Sequence, residues 1–295
     1  MGRVGVLVTI LAGALGLCAP ASSIAGSVFV TGHDPDYHSI EGNVNSSGDE
    51  GNTSGAQHII QRALEFTRNG NTAPILFIQT DTSNLALPFN DHLDSEDGLI
   101  SSGFTAASTP GNHYVRVNAT EFATINLLLF SAIFVASDHG GTLAGNDLQA
   151  INARTADILS YINGGGGLVA LAEDGFRQPA SVGPQPATFG FLPFLVTAVP
   201  LGEEEEGNTL TPFGESLGLV TSDINENFSH NVFTATGGMS VVDTDSTGEI
   251  LSLAYRGLFG LAGVVAVIPE PSILILFAFG LAGLAAVLRR RTRRT

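Results

Sequence analysis

Ala132-Ile133-Phe134-Val135-Ala136 and, further on, Leu168-Val169-Ala170-Leu171-Ala172 are the two runs that decide the fold. Each is short, uninterrupted and apolar, which is how a strand covered on both faces reads. Between them Asn146 stands at a helix-cap position, and Leu148, Ile151, Ile158, Leu159 and Ile162 recur at helical spacing. Gly164 to Gly167 then closes that helix. Strand, helix, strand at this spacing predicts two parallel strands joined by a crossover helix.

The same alternation extends upstream. Ser27 to Thr31 reads as a strand that runs into Gly32-His33-Asp34-Pro35-Asp36-Tyr37-His38. After a loop from Glu41 to Thr53, Ser54 and Gln57 suggest a capping box. Ala56, Ile59, Ile60, Ala63 and Leu64 then share one helix face, which Asn69-Gly70 ends. Pro74 to Gln79 reads as a second strand buried on both faces. A polar loop from Asp81 to Asp97 leads to a short helix, and Tyr114 to Val117 alternates like a strand nearer the edge. Beyond Arg177 the pattern loosens. Pro179 to Pro186 reads as a loop and Glu203 to Glu206 as a solvated loop tip. Glu249 to Tyr255 and Leu261 to Val267 read as strands joined by a turn at Arg256-Gly257. The fold class expected is α/β, a three-layer flavodoxin-like domain with a mostly parallel sheet.

Both ends of the chain read as targeting segments. Met1-Gly2-Arg3, the apolar Val4 to Leu17 and the small residues of Ser23-Ile24-Ala25 make residues 1–25 a signal peptide for a signal peptidase. Its Cys18 is the chain's single cysteine, so residues 26–266, the expected ectodomain, have no disulfide and no thiolate. At the other end, Val267-Ile268-Pro269-Glu270-Pro271 is extended by its prolines. An uncharged run over 272–288 follows, long enough for one transmembrane helix across a thin bilayer. Arg289, Arg290, Arg291, Arg293 and Arg294 then hold the terminus on the cytoplasmic side. These three features in order, within residues 267–295, resemble the PEP-CTERM sorting signal. The resemblance implies recognition of Pro269, Glu270, Pro271 and the arginines by an exosortase-type processing enzyme. It implies export across the inner membrane, anchoring by the C-terminal helix before processing, and arrival at the cell surface or extracellular matrix. Extracellular polysaccharide is a partner in that setting.

Between the targeting segments the charge is one-sided. Gly26 to Ile268 holds six arginines and no lysine against twenty-seven carboxylates, a net of −21. Such a surface excludes nucleic acid as a partner and suits solubility or divalent cations. Gly164 to Gly167 follows a helix and precedes a strand, the reverse of the order a phosphate site requires. Asp243-Thr244-Asp245-Ser246-Thr247-Gly248 imitates half of a calcium loop but lacks the closing glutamate, and reads as a turn between strands.

Gly167 to Glu173, Asp138-His139-Gly140-Gly141 and Thr31-Gly32-His33-Asp34 resemble loops of class I glutamine-amidotransferase-like and trehalose-utilisation-like domains. The cysteine of the amidotransferases is missing: Ala172-Glu173-Asp174 stands at that elbow. Ligands of open α/β sheets sit beyond the carboxyl ends of the strands. There the candidates are His33, His38, Asp138, His139 and Glu173 for catalysis, and His33, Asp34, Asp36, His38 and His139 for a metal, with His230 as a further member. The same residue types also cap helices and close turns. Two readings follow. One is an exported surface or matrix protein whose α/β domain binds or supports, with no cofactor required. The other is a hydrolase or sugar-modifying enzyme, with or without a divalent cation.

Overall fold

The first strand of the described residues takes an interior place in the sheet. In the computed structural model, β1 (Gly26–Thr31) is buried along its whole length between two partners that come much later in the chain. The structure describes residues 26–44, 48–79, 95–138, 143, 145–173, 187–192, 194–204 and 207–259. The expected signal peptide at 1–25, the expected strand Leu261 to Val267, the expected transmembrane run 272–288, the Pro269-Glu270-Pro271 motif and Arg289, Arg290 and Arg291 lie outside them. Among the described residues no helix is long and apolar enough to cross a membrane.

The elements follow in order. After β1 come α1 (Pro35–His38), α2 (Thr53–Arg68), β2 (Ile75–Ile78), α3 (Ser95–Ser101), β3 (Tyr114–Val117) and α4 (Ala119–Phe122). A 3-10 turn, Leu127–Leu129, leads into β4 (Ala132–Val135), then α5 (Gly145–Asn152), α6 (Thr155–Asn163) and β5 (Gly167–Ala170). The second half is richer in strands: β6 (Val196–Glu204), β7 (Thr209–Leu210), α7 (Pro212–Ser216), α8 (Thr221–Ile224), β8 (Ser229–Thr236), β9 (Ser240–Thr244) and β10 (Ile250–Gly257).

One mixed sheet joins the ten strands of the described residues, in the order β3-β2-β4-β5-β1-β10-β8-β6, with β9 on β10 and β7 on β9. The first five are mutually parallel and the additions beyond β1 are antiparallel. The α/β expectation holds, and its parallel core lies where the apolar runs placed it. The flavodoxin-like order needs correction. That order, 2-1-3-4-5, is reproduced here only if the chain's first strand is counted as its last. An antiparallel extension beyond β1 adds to this large, mostly parallel sheet. α1, α2 and α3 pack together, as do α4 and α5, the grouping that right-handed crossovers on the two faces of such a sheet would produce.

Local chemistry corrects several boundaries. Asn52, not Ser54, caps α2: its side chain accepts from the Gly55 amide, while Gln57 donates instead to the Ser39 carbonyl. Asn69 ends α2 in the left-handed conformation. The single helix expected between β4 and β5 is two, broken at Ala153-Arg154, where Arg154 turns its guanidinium onto the Phe122 and Ile125 carbonyls. No turn stands at Arg256-Gly257, because β10 runs through both residues to pair with Ser27 and Gly26. Glu203 and Glu204 belong to β6 rather than to a loop tip.

Candidate functional site

The carboxyl end of β1 is held by the backbone of β8. Gly32 approaches so closely that a Cβ there would sit 2.1 Å from the Asn231 carbonyl oxygen. The His230 amide donates to the Gly32 carbonyl at 2.7 Å, and the Ala172 amide to the His33 carbonyl at 3.0 Å. This fixes the His33 ring among residues far along the chain. Its Nε2 lies 2.8 Å from Asp243 Oδ2, and its Nδ1 lies 2.7 Å from Ser229 Oγ.

Ser229, His33 and Asp243 therefore stand in the order of a hydrolytic triad, but their chemistry differs. His33 Nδ1 also faces the carbonyl oxygens of Asn227 and Phe228 at 3.1 and 3.3 Å. Carbonyl oxygens only accept, so a protonated Nδ1 suits them, and the Asp243 carboxylate favours a proton on Nε2 as well. A ring donating at both nitrogens has no lone pair with which to activate Ser229. Burial alone would lower the His33 pKa. The charge and hydrogen bond of Asp243, the Asn227 carbonyl and the charge of Asp34 outweigh it, and the net shift is upward. All three side chains are buried. The arrangement is a clamp between β1, β8 and β9.

Asp34 forms the second group, with its carboxylate 3.3 Å from His230 Nε2 and 3.7 Å from His38 Nε2. His38 also lies 3.0 Å from the Glu50 carbonyl through Nδ1 and packs on the Phe228 ring. Asp36 turns elsewhere. It accepts from Ser95 Oγ at 2.5 Å, the Ser137 amide at 3.0 Å and Ser137 Oγ at 2.7 Å, which ties α1 to α3 and to the end of β4. Burial raises its pKa further than these donors lower it.

Glu173 and Asp138 make a third group at the ends of β5 and β4. Asn231 holds the Glu173 backbone like a strand partner, accepting from its amide and donating to its carbonyl at 2.7 Å each. The Glu173 carboxyl takes the Phe189 amide on Oε2 at 2.5 Å, and Oε1 has no hydrogen-bond partner among the described residues. Burial first, and then the nearby Asp138 charge, push its pKa well above the usual carboxylate range.

The expected residues thus fall into neighbouring groups. His33 joins Asp243, Asp34 joins His38 and His230, Asp36 joins Ser95 and Ser137, and Glu173 adjoins Asp138. His139 lies outside the described residues. Among those residues no group of three or more His, Cys, Asp or Glu side chains is arranged to hold a metal ion. Sequence reasoning did not assign Asp243, Ser229, Asn231, Ser95 or Ser137 to this region. The available signal was Ser229-His230-Asn231 itself, a polar run directly between apolar Phe228 and Val232-Phe233.

No curated protein and no solved structure matches the chain. Residues 267–291 match the PEP-CTERM protein-sorting motif. The motif marks an exported protein that an exosortase sorts.

Proposed function

We propose that this chain is a surface or matrix protein, held in the membrane by residues 272–288 until an exosortase-type enzyme processes it, with an α/β domain that binds or supports rather than catalyses. The sorting motif at 267–291 carries the first part of this reading. The second is supported by the clamps at the strand ends: His33, Asp34, Asp36 and His38 are buried, and each is engaged by a defined neighbour. Groups engaged this way hold loops together and offer little to a substrate. The test is expression with and without an active exosortase, reading the mass and membrane attachment of the mature chain. A shorter product that appears only with the enzyme, and is lost on Pro269→Ala with Glu270→Ala, is the expected result. Identical mass and attachment in both hosts would sink the reading.

A second reading, a hydrolase or sugar-modifying enzyme of the amidotransferase-like type, is favoured by one observation. Glu173 ends β5 with a carboxyl oxygen unengaged among the described residues and a raised pKa, as a general acid requires. Asp138 stands beside it, and His139 follows in sequence. Turnover of a panel of glycosides by the exported domain, abolished by Glu173→Gln with the fold intact, would replace the binding reading with this one.

A further inference from the structure

The most exposed large apolar side chains gather at one end of the sheet. Leu195, Leu128 and Leu129 are 82%, 74% and 62% exposed, more than any other large hydrophobic residue described. Register places Leu128 and Leu129, and a ring stack places Leu195. Ala132 pairs with Gly167, Gly167 with Ser27, and Gly26 with Gly257, so these residues form one row at the amino end of the parallel strands. Leu128 and Leu129 lie just before that row, and the Tyr161 hydroxyl donates to the neighbouring Phe130 carbonyl at 3.2 Å. Phe259, just past the row, exchanges two hydrogen bonds with Asn163 and stacks on Phe194 at 4.8 Å. Leu195 follows Phe194 directly.

The charge at this end has the opposite sign to the domain as a whole. Arg68 reaches Ser131, and Arg256 reaches Ser27 and lies over the Phe66 ring. On the two helices that finish here, Glu65 and Asp157 are paired with Arg62 and Arg154. The clamped carboxylates Asp34, Asp36, Asp138 and Glu173 all stand at the other end of the strands.

The chain also leaves the domain here. Only twelve residues, 260–271, separate Phe259 from the apolar run that begins at Ser272. Fully extended they reach about 40 Å, so a membrane holding that run stays within reach of the domain. We propose that the amino end of the parallel strands is the membrane-facing surface of the anchored protein, with Leu128, Leu129 and Leu195 seated among lipid headgroups and Arg68 and Arg256 beside anionic phosphates. A net charge of −21 between Gly26 and Ile268 repels the rest of the domain from such a surface, which selects this orientation. The inference rests on the anchored reading above.

The test uses the full chain in vesicles of phosphatidylethanolamine and phosphatidylglycerol that carry a headgroup-level nitroxide lipid. In a Cys18→Ser background, single fluorophores are placed through Leu128→Cys, Leu195→Cys, Ser246→Cys and Ala278→Cys. Ser246 lies in the turn between β9 and β10, at the opposite end of the domain. Quenching at 128, 195 and 278 with none at 246 is the expected result. Quenching at 278 alone overturns the inference and leaves the anchored reading standing. No quenching at 278 overturns both. A blue-shifted but unquenched label at 128 or 195 assigns the face to a protein partner, such as a second copy, and also overturns the inference.

Discussion

His33 Nε2 donates to Asp243 Oδ2 at 2.8 Å, joining the end of the first strand to a strand more than two hundred residues later. The pair is buried, so removing one partner leaves the other without compensation. Asp243→Asn is expected to destabilise the domain by about 3 kcal/mol. The loss should be full below pH 6.5, where His33 is charged in both folded and unfolded chains, and should shrink as pH rises through the raised folded pKa. Denaturant melts of both proteins from pH 5 to pH 9 check it; a loss independent of pH would remove the charge from the explanation.

The pH dependence of the whole domain follows from three groups that shift the same way. His33, Asp36 and Glu173 all have raised pKa values, so the folded state binds more protons than the unfolded one between the ordinary and shifted values. Stability therefore falls as pH rises. A lower melting temperature at pH 8 than at pH 5 is the expected outcome.

Glu173→Gln isolates one of these contributions. Glutamine keeps an oxygen for the Phe189 amide and removes the cost of ionising a buried carboxyl. The variant should match the parent at pH 4 and exceed it at pH 8, read from the same melts. Equal stability at both values would show that Glu173 finds a partner when ionised.

Gly98 sets two opposed effects against each other. Alanine gains about 1 kcal/mol as a helix former. Its Cβ would sit 1.9 Å from the Asp36 carbonyl oxygen, which is backbone and yields only by displacing α1. The clash should prevail, and Gly98→Ala should cost about 1–3 kcal/mol. A gain in melting temperature would show that α1 has room to move.

Chelation is expected to leave the melt of the full chain unchanged, because the described His and carboxylate groups pair with one another rather than around a common point. A drop of several degrees with a chelator would bring His139 into a site.

The parallel core was legible because Ile75 to Ile78, Ala132 to Val135 and Gly167 to Ala170 are covered on both faces, and double burial leaves an unbroken apolar run. The antiparallel half was not. Neither face of β6 is fully buried where it can be described, and Pro200 interrupts it. The buried start of β8 is Ser229-His230-Asn231, whose polar atoms are satisfied by long-range partners that local periodicity does not reveal. The break between α5 and α6 has no glycine or proline to announce it; it shows only in the carbonyls that Arg154 finds. At the strand ends, His33 and Glu173 could be singled out by their position after a strand. Asp243 and Asn231 reach them only once the sheet has closed.

That closure has a consequence for the journey the sorting motif implies. β1 is the first described strand to emerge, yet its two partners are β5 and β10, the latter the last strand among the described residues. While the chain is threaded through an export channel its leading strand has nothing to pair with, and long-range pairing of this kind is slow to form. The polypeptide is thus expected to arrive on the far side still a threadable polymer, and to become a domain only after β10 has crossed.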